Sequence, residues 1–191
     1  MARNLEFNEE RAVEKAMEVF WKNGYTATSM RDLTDAMKIN SSSLYNTIGD
    51  KRTLFIKCLD TYTEQRRQKF LQLTQGQSSP LDQLKYLIKV VIESIEKTPA
   101  ACMAIKTSFE MAENDPQIHS ILKSDAHFSY MQVKGLLEKA VIAGELNYMF
   151  DTESTAHYIV NSFTGWYEMY ILNKNKDQIL KMGDFLIKTL F

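Results

Sequence analysis

The chain has 191 residues, 23 Lys+Arg against 24 Asp+Glu, a formal net charge of -1, and 45% hydrophobic residues. That balance excludes a disordered or collagen-like chain, and the total charge singles out neither nucleic acid nor membrane as a partner. Seven Gly and three Pro are roughly half the share of an average protein, so few helix breakers are present and an all-α fold is expected.

The pattern predicts about nine helices. From Asn8 to Asn23 the residues Val13, Ala16, Met17, Phe20 and Trp21 recur at three- and four-residue steps, and Gly24 stops the helix. A second, shorter helix opens at Thr28 or Ser29, where Ser29 and Asp32 have the spacing of a capping box. Its inward residues are Met30, Leu33, Ala36 and Met37. Asn40 caps a third helix, Ser41 to about Ile48, anchored by Leu44 and Ile48. Lys51 starts a long connecting helix that runs towards Leu73, followed by the loop Thr74 to Pro80. Further helices are expected from Pro80 to an interruption at Thr98-Pro99, from Cys102 to Met111, and from Pro116 to Ala143. The last two run from Asp151 or Thr152 to Tyr170 and from Asp177 to Leu190. No internal repeat interrupts this order.

Helices two and three, separated by about three residues, have the arrangement of a helix-turn-helix unit, whose second helix lies in the DNA major groove. The third helix presents Ser41, Ser42, Ser43, Tyr45, Asn46 and Thr47, short or planar hydrogen-bonding groups suited to base edges and phosphates. Thr28, Ser29 and Lys51 flank it and suit phosphates, although Thr28, Ser29 and Asn40 are also ordinary helix caps. Residues 1–70 carry 12 Lys+Arg and 10 Asp+Glu, the remainder 11 and 14. So small a basic excess implies that two copies must act together to reach useful affinity.

These residues resemble a known family. The stretch Ala12 to Tyr62, within it Phe20 to Leu33, Asn40 to Asn46 and Gly49 to Phe55, is similar to the amino-terminal domain of the tetracycline-repressor family of transcriptional regulators. The resemblance implies an all-helical homodimer with three amino-terminal helices for DNA and about six more for ligand binding and dimerisation. It divides the chain at 1–50 and 51–191, puts Thr28, Ser29, Tyr45 and Lys51 against phosphates, and puts Ser41, Ser42 and Asn46 near bases. Two departures stand out: Lys38 where the turn usually has Gly, and Ile48 where an aromatic usually follows the recognition helix. Lys38 would need a left-handed backbone or an altered turn.

A ligand pocket is implied among the middle helices, with Tyr62, Met103, Thr107, Phe128 and Met131 as its lining and an apolar or aromatic compound as its effector. Most other aromatics and methionines are expected in the core. His157, Ile159, Phe163, Trp166 and Tyr170, with Ile179, Met182, Phe185, Leu186 and Leu190, form more apolar surface than a terminal hairpin needs, as half of a four-helix dimer interface would. Arg66 and Arg67 read as a solvated helix face. Cys58 and Cys102 make no disulfide framework; Cys102, at a helix start, is either a buried inert thiol or a sensor of oxidants or electrophiles. The spacing of His119, His127 and His157 fits neither a zinc helix nor a di-iron bundle, and no cofactor is expected. The start Met1 to Glu6 lacks an apolar signal core and no stretch approaches the ~20 apolar residues of a membrane span, so a cytoplasmic protein is expected.

The expected function is thus a ligand-responsive regulator, a repressor on a palindromic operator. A helical adaptor that binds only proteins is the alternative. An enzyme is disfavoured, because the chain has no glycine-rich phosphate loop, no nucleophile elbow and no base-nucleophile pair.

Overall fold

The computed structural model describes residues 8–73, 76, 79–97 and 102–191, and among them are nine helices and no strand. They are α1 Glu9–Asn23, α2 Met30–Met37, α3 Ser41–Thr47, α4 Lys51–Leu73, α5 Pro80–Lys97, α6 Met103–Met111, α7 Pro116–Ile142, α8 Thr152–Asn173 and α9 Lys176–Leu190. Most of the expected loop at 74–80, the interruption at Thr98-Pro99 and the start at 1–6 lie outside the described residues.

Local chemistry explains the helix ends. Asn8 accepts from the Arg11 N–H, and Ser29 and Asp32 exchange bonds in a complete capping box. Those bonds, from the Ser29 hydroxyl and N–H, hold the Asp32 carboxyl below its ordinary range. Asn40 caps α3, Asp115 caps α7 with Pro116 at the first helical position, and Asp151 caps α8. Of the two expected possibilities, Lys38 takes the left-handed backbone, with φ 57° and ψ 42°. α8 runs beyond Tyr170 to Asn173 and ends on a second left-handed lysine, Lys174, with no glycine to mark the stop.

Two apolar clusters organise the molecule. The first joins α1, α2 and α3 to the first half of α4 and to Cys102, Met103, Ala104, Ile118 and Leu122. Phe20 is its centre, with the Phe55 ring edge-on at 4.9 Å. The second unites α5, α7, α8 and α9 around Leu84, Ile88, Leu137, Ile159 and Trp166. Gly183 lets α9 lie close on α5, since a Cβ there would fall 1.9 Å from Ile92 Cδ1. Each fully buried Leu, Ile or Phe contributes about 1.5–3 kcal/mol. α4 therefore ties the amino-terminal head to the larger body. No described helix is long and apolar enough to cross a membrane.

Candidate nucleic-acid interface

Of the seven residues of α3 only Leu44 is buried, fully so beneath the helix. Ser41, Ser42, Tyr45, Asn46 and Thr47 are exposed, Tyr45 by 54%, and Ser43 is half-buried. A single apolar anchor with hydroxyl, amide and phenol groups around it can be offered to a groove without disturbing the core. Ser42 Oγ donates to Asn40 Oδ1 at 2.8 Å, and the same oxygen accepts from the Ser43 N–H at 2.7 Å, so the cap stiffens the start of the helix.

The flanking residues divide. Ser29 is exposed at the α2 start, with its hydroxyl donating to Asp32 at 2.6 Å. Lys51 holds its ammonium 4.4 Å from the centre of the Tyr25 ring, which orients it at the head of α4. Thr28 differs from its expected role. It is 1% exposed and its hydroxyl donates to Gly24 O at 2.6 Å, so the side chain braces the turn. A hydroxyl four residues after a helix-ending glycine finds that orphan carbonyl nearby.

The α1–α2 corner is gripped from outside the head. Glu110 of α6 accepts the Tyr25 N–H at 3.0 Å and the Thr26 N–H at 2.7 Å. Lys106, one turn earlier, donates to Lys22 O at 2.9 Å and Trp21 O at 3.4 Å, the last carbonyls of α1. Burial opposes the Glu110 charge, but the Thr26 and Tyr25 donors outweigh it and pull its pKa below the ordinary value. A second link joins Arg52 to Asp115 through two bonds of 2.7 and 2.9 Å. The guanidinium is the main reason that the Asp115 carboxyl drops to about 2.

Of the residues expected to line a pocket, Tyr62 and Met103 meet. Tyr62 is buried, accepts the Met103 N–H at 3.3 Å and lies 3.3 Å from Cys102 Sγ, while Thr107 is buried farther along α6. Phe128 packs edge-on against Phe70 with the Arg67 guanidinium above it. Met131 is 45% exposed. It falls off the inward stripe of α7, which runs through Leu122, Asp125, Val133 and Leu136, so it does not join the others.

Arg66 and Arg67 are not a solvated face. Arg66 meets the Asp125 carboxylate at 3.3 Å, Ser129 Oγ at 2.8 Å and Cys102 Sγ at 3.3 Å, and Arg67 donates to Ser124 Oγ at 2.9 Å. Asp125 is buried, and burial raises its pKa against the pull of Arg66 and Arg67. A charge within the apolar stripe of α7 was the available signal, because a buried carboxylate demands a cation and α4 supplies it. Cys102 is 3% exposed; Cys58 is fully buried and burial pushes its thiol up to about 12. Among the described residues no group of His, Cys, Asp and Glu is arranged to hold a metal ion.

In the second cluster, α8 and α9 expose Tyr158, Ile171, Leu172, Met182 and Phe185. The expected interface residues split. Ile159, Trp166, Ile179 and Leu186 are buried in the chain's own core, His157 stacks on Tyr130 at 4.2 Å, and Met182 and Phe185 face outward. Tyr158, Trp166, Met182 and Phe185 border a surface trough of about 580 Å³.

Comparison with known proteins agrees with this geometry. Residues 12–58 match the family model of bacterial regulatory proteins of the tetR family, and residues 80–182 match the tetracyclin repressor-like C-terminal domain. The HTH-type transcriptional regulator YezE of Bacillus subtilis (strain 168) is 28% identical over 120 residues, 62% of each protein, so the match leaves more than a third of that relative uncovered. The HTH-type transcriptional repressor ComR of Escherichia coli (strain K12) is 26% identical over 158 residues, 80% of this chain and 74% of ComR. Among solved structures, a cysteine-substituted TetR family regulator CifR, complexed with a 26-base-pair operator duplex, superposes over 100% of both chains with a TM-score of 0.87 at 20% identity. Reduced NemR from E. coli does so over 93% of both chains with a TM-score of 0.83 at 13% identity. With one domain model matching more than half of the chain and a second matching its head, this protein belongs to the TetR family of DNA-binding transcriptional regulators.

Proposed function

We propose that the protein is a homodimeric repressor that a small molecule releases from a roughly palindromic operator, with residues 1–50 as the DNA-binding part and 51–191 as the effector and dimerisation part. The observation that carries the reading is the α3 surface: five exposed polar or phenolic residues on a helix held by one fully buried leucine. Ser41, Ser42, Ser43, Asn46 and Thr47 approach base edges, while Ser29, Tyr45 and Lys51 contact phosphates. Support for a repressor comes from ComR, which is named as one, and support for operator binding from the CifR complex. The exposed apolar residues of α8 and α9 meet the same helices of a second copy in an isologous four-helix contact.

An apolar or aromatic effector binds beside Tyr62, Met103, Thr107 and Phe128. It fits best when α4 is displaced, which moves the two recognition helices away from the roughly 34–36 Å spacing of successive major grooves. Operator affinity falls because both half-sites can no longer be engaged together.

Gel shifts on an operator selected from random-sequence DNA test the interface. Tyr45→Ala and Lys51→Ala should weaken binding to all sequences, each by roughly tenfold, whereas Asn46→Ala should alter base preference at one position of each half-site. If all three variants bound as the unaltered protein does, α3 would not be the recognition helix.

A further inference from the structure

Glu110 and Lys106 stand in the body of the molecule, yet their charged ends hydrogen-bond to the backbone of the α1–α2 corner. The pairing is reciprocal. The carboxylate takes two N–H groups of the turn, and the ammonium takes two carbonyls left over at the end of α1. The turn itself is shaped to admit the carboxylate. Gly24 has φ +85°, and a Cβ at that position would lie 2.9 Å from Glu110 Oε2, so a side chain there would collide with the grip. At its other end α6 is tied to the interior: Met103 N–H donates to the buried Tyr62 hydroxyl of α4, about 10 Å of helix away from Glu110.

We propose that Glu110, assisted by Lys106, is a positioning residue for operator recognition: α6 clamps the α1–α2 corner and so sets the angle at which each head presents α3. α4 and the apolar cluster shared with Met103, Ala104, Ile118 and Leu122 join head to body, but apolar packing is non-directional and by itself leaves the head angle loosely set. Two further points of attachment, the Arg52–Asp115 pair at the start of α4 and the α6 clamp at the far corner of α1, remove that freedom. Fixed heads bind well only to half-sites at one separation. The clamp also gives a change beside Tyr62 a direct route to the head, because α6 is one continuous helix with the effector region at its start and the corner near its end. The proposal rests on the reading of the protein as a dimer on a two-half-site operator.

The test uses the full-length protein and the selected operator, with derivatives in which one base pair is inserted or removed between the half-sites. The unaltered protein should prefer its own spacing by a factor within the roughly 5–150-fold range of energetic coupling between sites. Glu110→Gln keeps one acceptor oxygen but turns an amide donor towards a second N–H. It should reduce that preference to within about threefold while leaving base preference inside each half-site unchanged. Lys106→Met should act in the same direction, more weakly, and serves if the first variant folds poorly. A merely structural role would lower the melting temperature and weaken all duplexes in parallel, with the spacing ratio intact, and that result would overturn the clamp. If the unaltered protein itself showed no spacing preference, the dimeric-operator reading would fall and the clamp with it.

Discussion

The two ends of the chain expose themselves in opposite ways. At the head, α3 turns outward hydroxyls, an amide and a phenol and hides Leu44; at the far end, α8 and α9 turn outward Tyr158, Ile171, Leu172, Met182 and Phe185 although their neighbours Ile159, Trp166 and Ile179 are fully packed. Polar side chains on a short, well-capped helix lose little when water is replaced by base edges and phosphates. Large apolar side chains left in water beside a finished core are unpaired surface, and another apolar face is what removes that cost. One chain thus carries a surface suited to a wet, charged partner and another suited to a dry one.

The strongest way to break this contrast is to charge the dry end. Phe185 is 67% exposed, so Phe185→Asp should leave the fold and its melting temperature almost unchanged. In a two-copy interface it buries two carboxylates against each other, and the dimer should dissociate. Sedimentation should then report about half the mass, and operator affinity should fall by roughly 10²–10⁴-fold as the second half-site becomes a separate binding event. A variant that remained dimeric would move the interface elsewhere.

How far this division was legible in the sequence depends on range. α1, α2 and α3 followed from three- and four-residue spacing and from caps such as Ser29 and Asn40, all of them local signals. The left-handed backbone at Lys38 is one of the two conformations that the missing glycine left open. What failed was anything decided by a distant partner. Arg66 and Arg67 looked like surface because Asp125, Ser124 and Ser129 are more than fifty residues away, and Met131 looked like lining because composition does not say which stripe of α7 faces inward. The grip of Glu110 on two backbone N–H groups has no sequence signature at all, since any turn offers such donors.

An intermediate effect separates the joint from the surfaces it connects. Asp115 both caps α7 and pairs with Arg52, and Asn is as good a cap, so Asp115→Asn removes the ion pair alone. The folded carboxyl titrates at about 2, below the ordinary 3.8, so its contribution to stability is complete above the ordinary value and is lost as pH falls from about 4 towards 2. Thermal melts should show the variant less stable at neutral pH, with the difference shrinking through that window. A difference independent of pH would mean that the guanidinium is not what holds the carboxyl down.

The smallest effect tests whether the head itself is relaxed. Lys38 closes α2 with φ 57°, a conformation that crowds its Cβ and costs an ordinary residue about 1–2 kcal/mol relative to glycine. Glycine gives back part of this by making the unfolded chain freer, leaving a net gain of roughly 1 kcal/mol for Lys38→Gly, or about 2–4 °C in Tm. The lysine is exposed in the turn that leads into α3, close enough in sequence for its charge to contribute to the DNA surface. Strain retained for that charge predicts a trade: Lys38→Gly should melt higher yet bind operator more weakly, with the salt dependence of binding reduced by about one phosphate contact per head. If the variant gained stability and lost no affinity, the lysine would have no part in the DNA surface, and the polar face of the head would begin at α3.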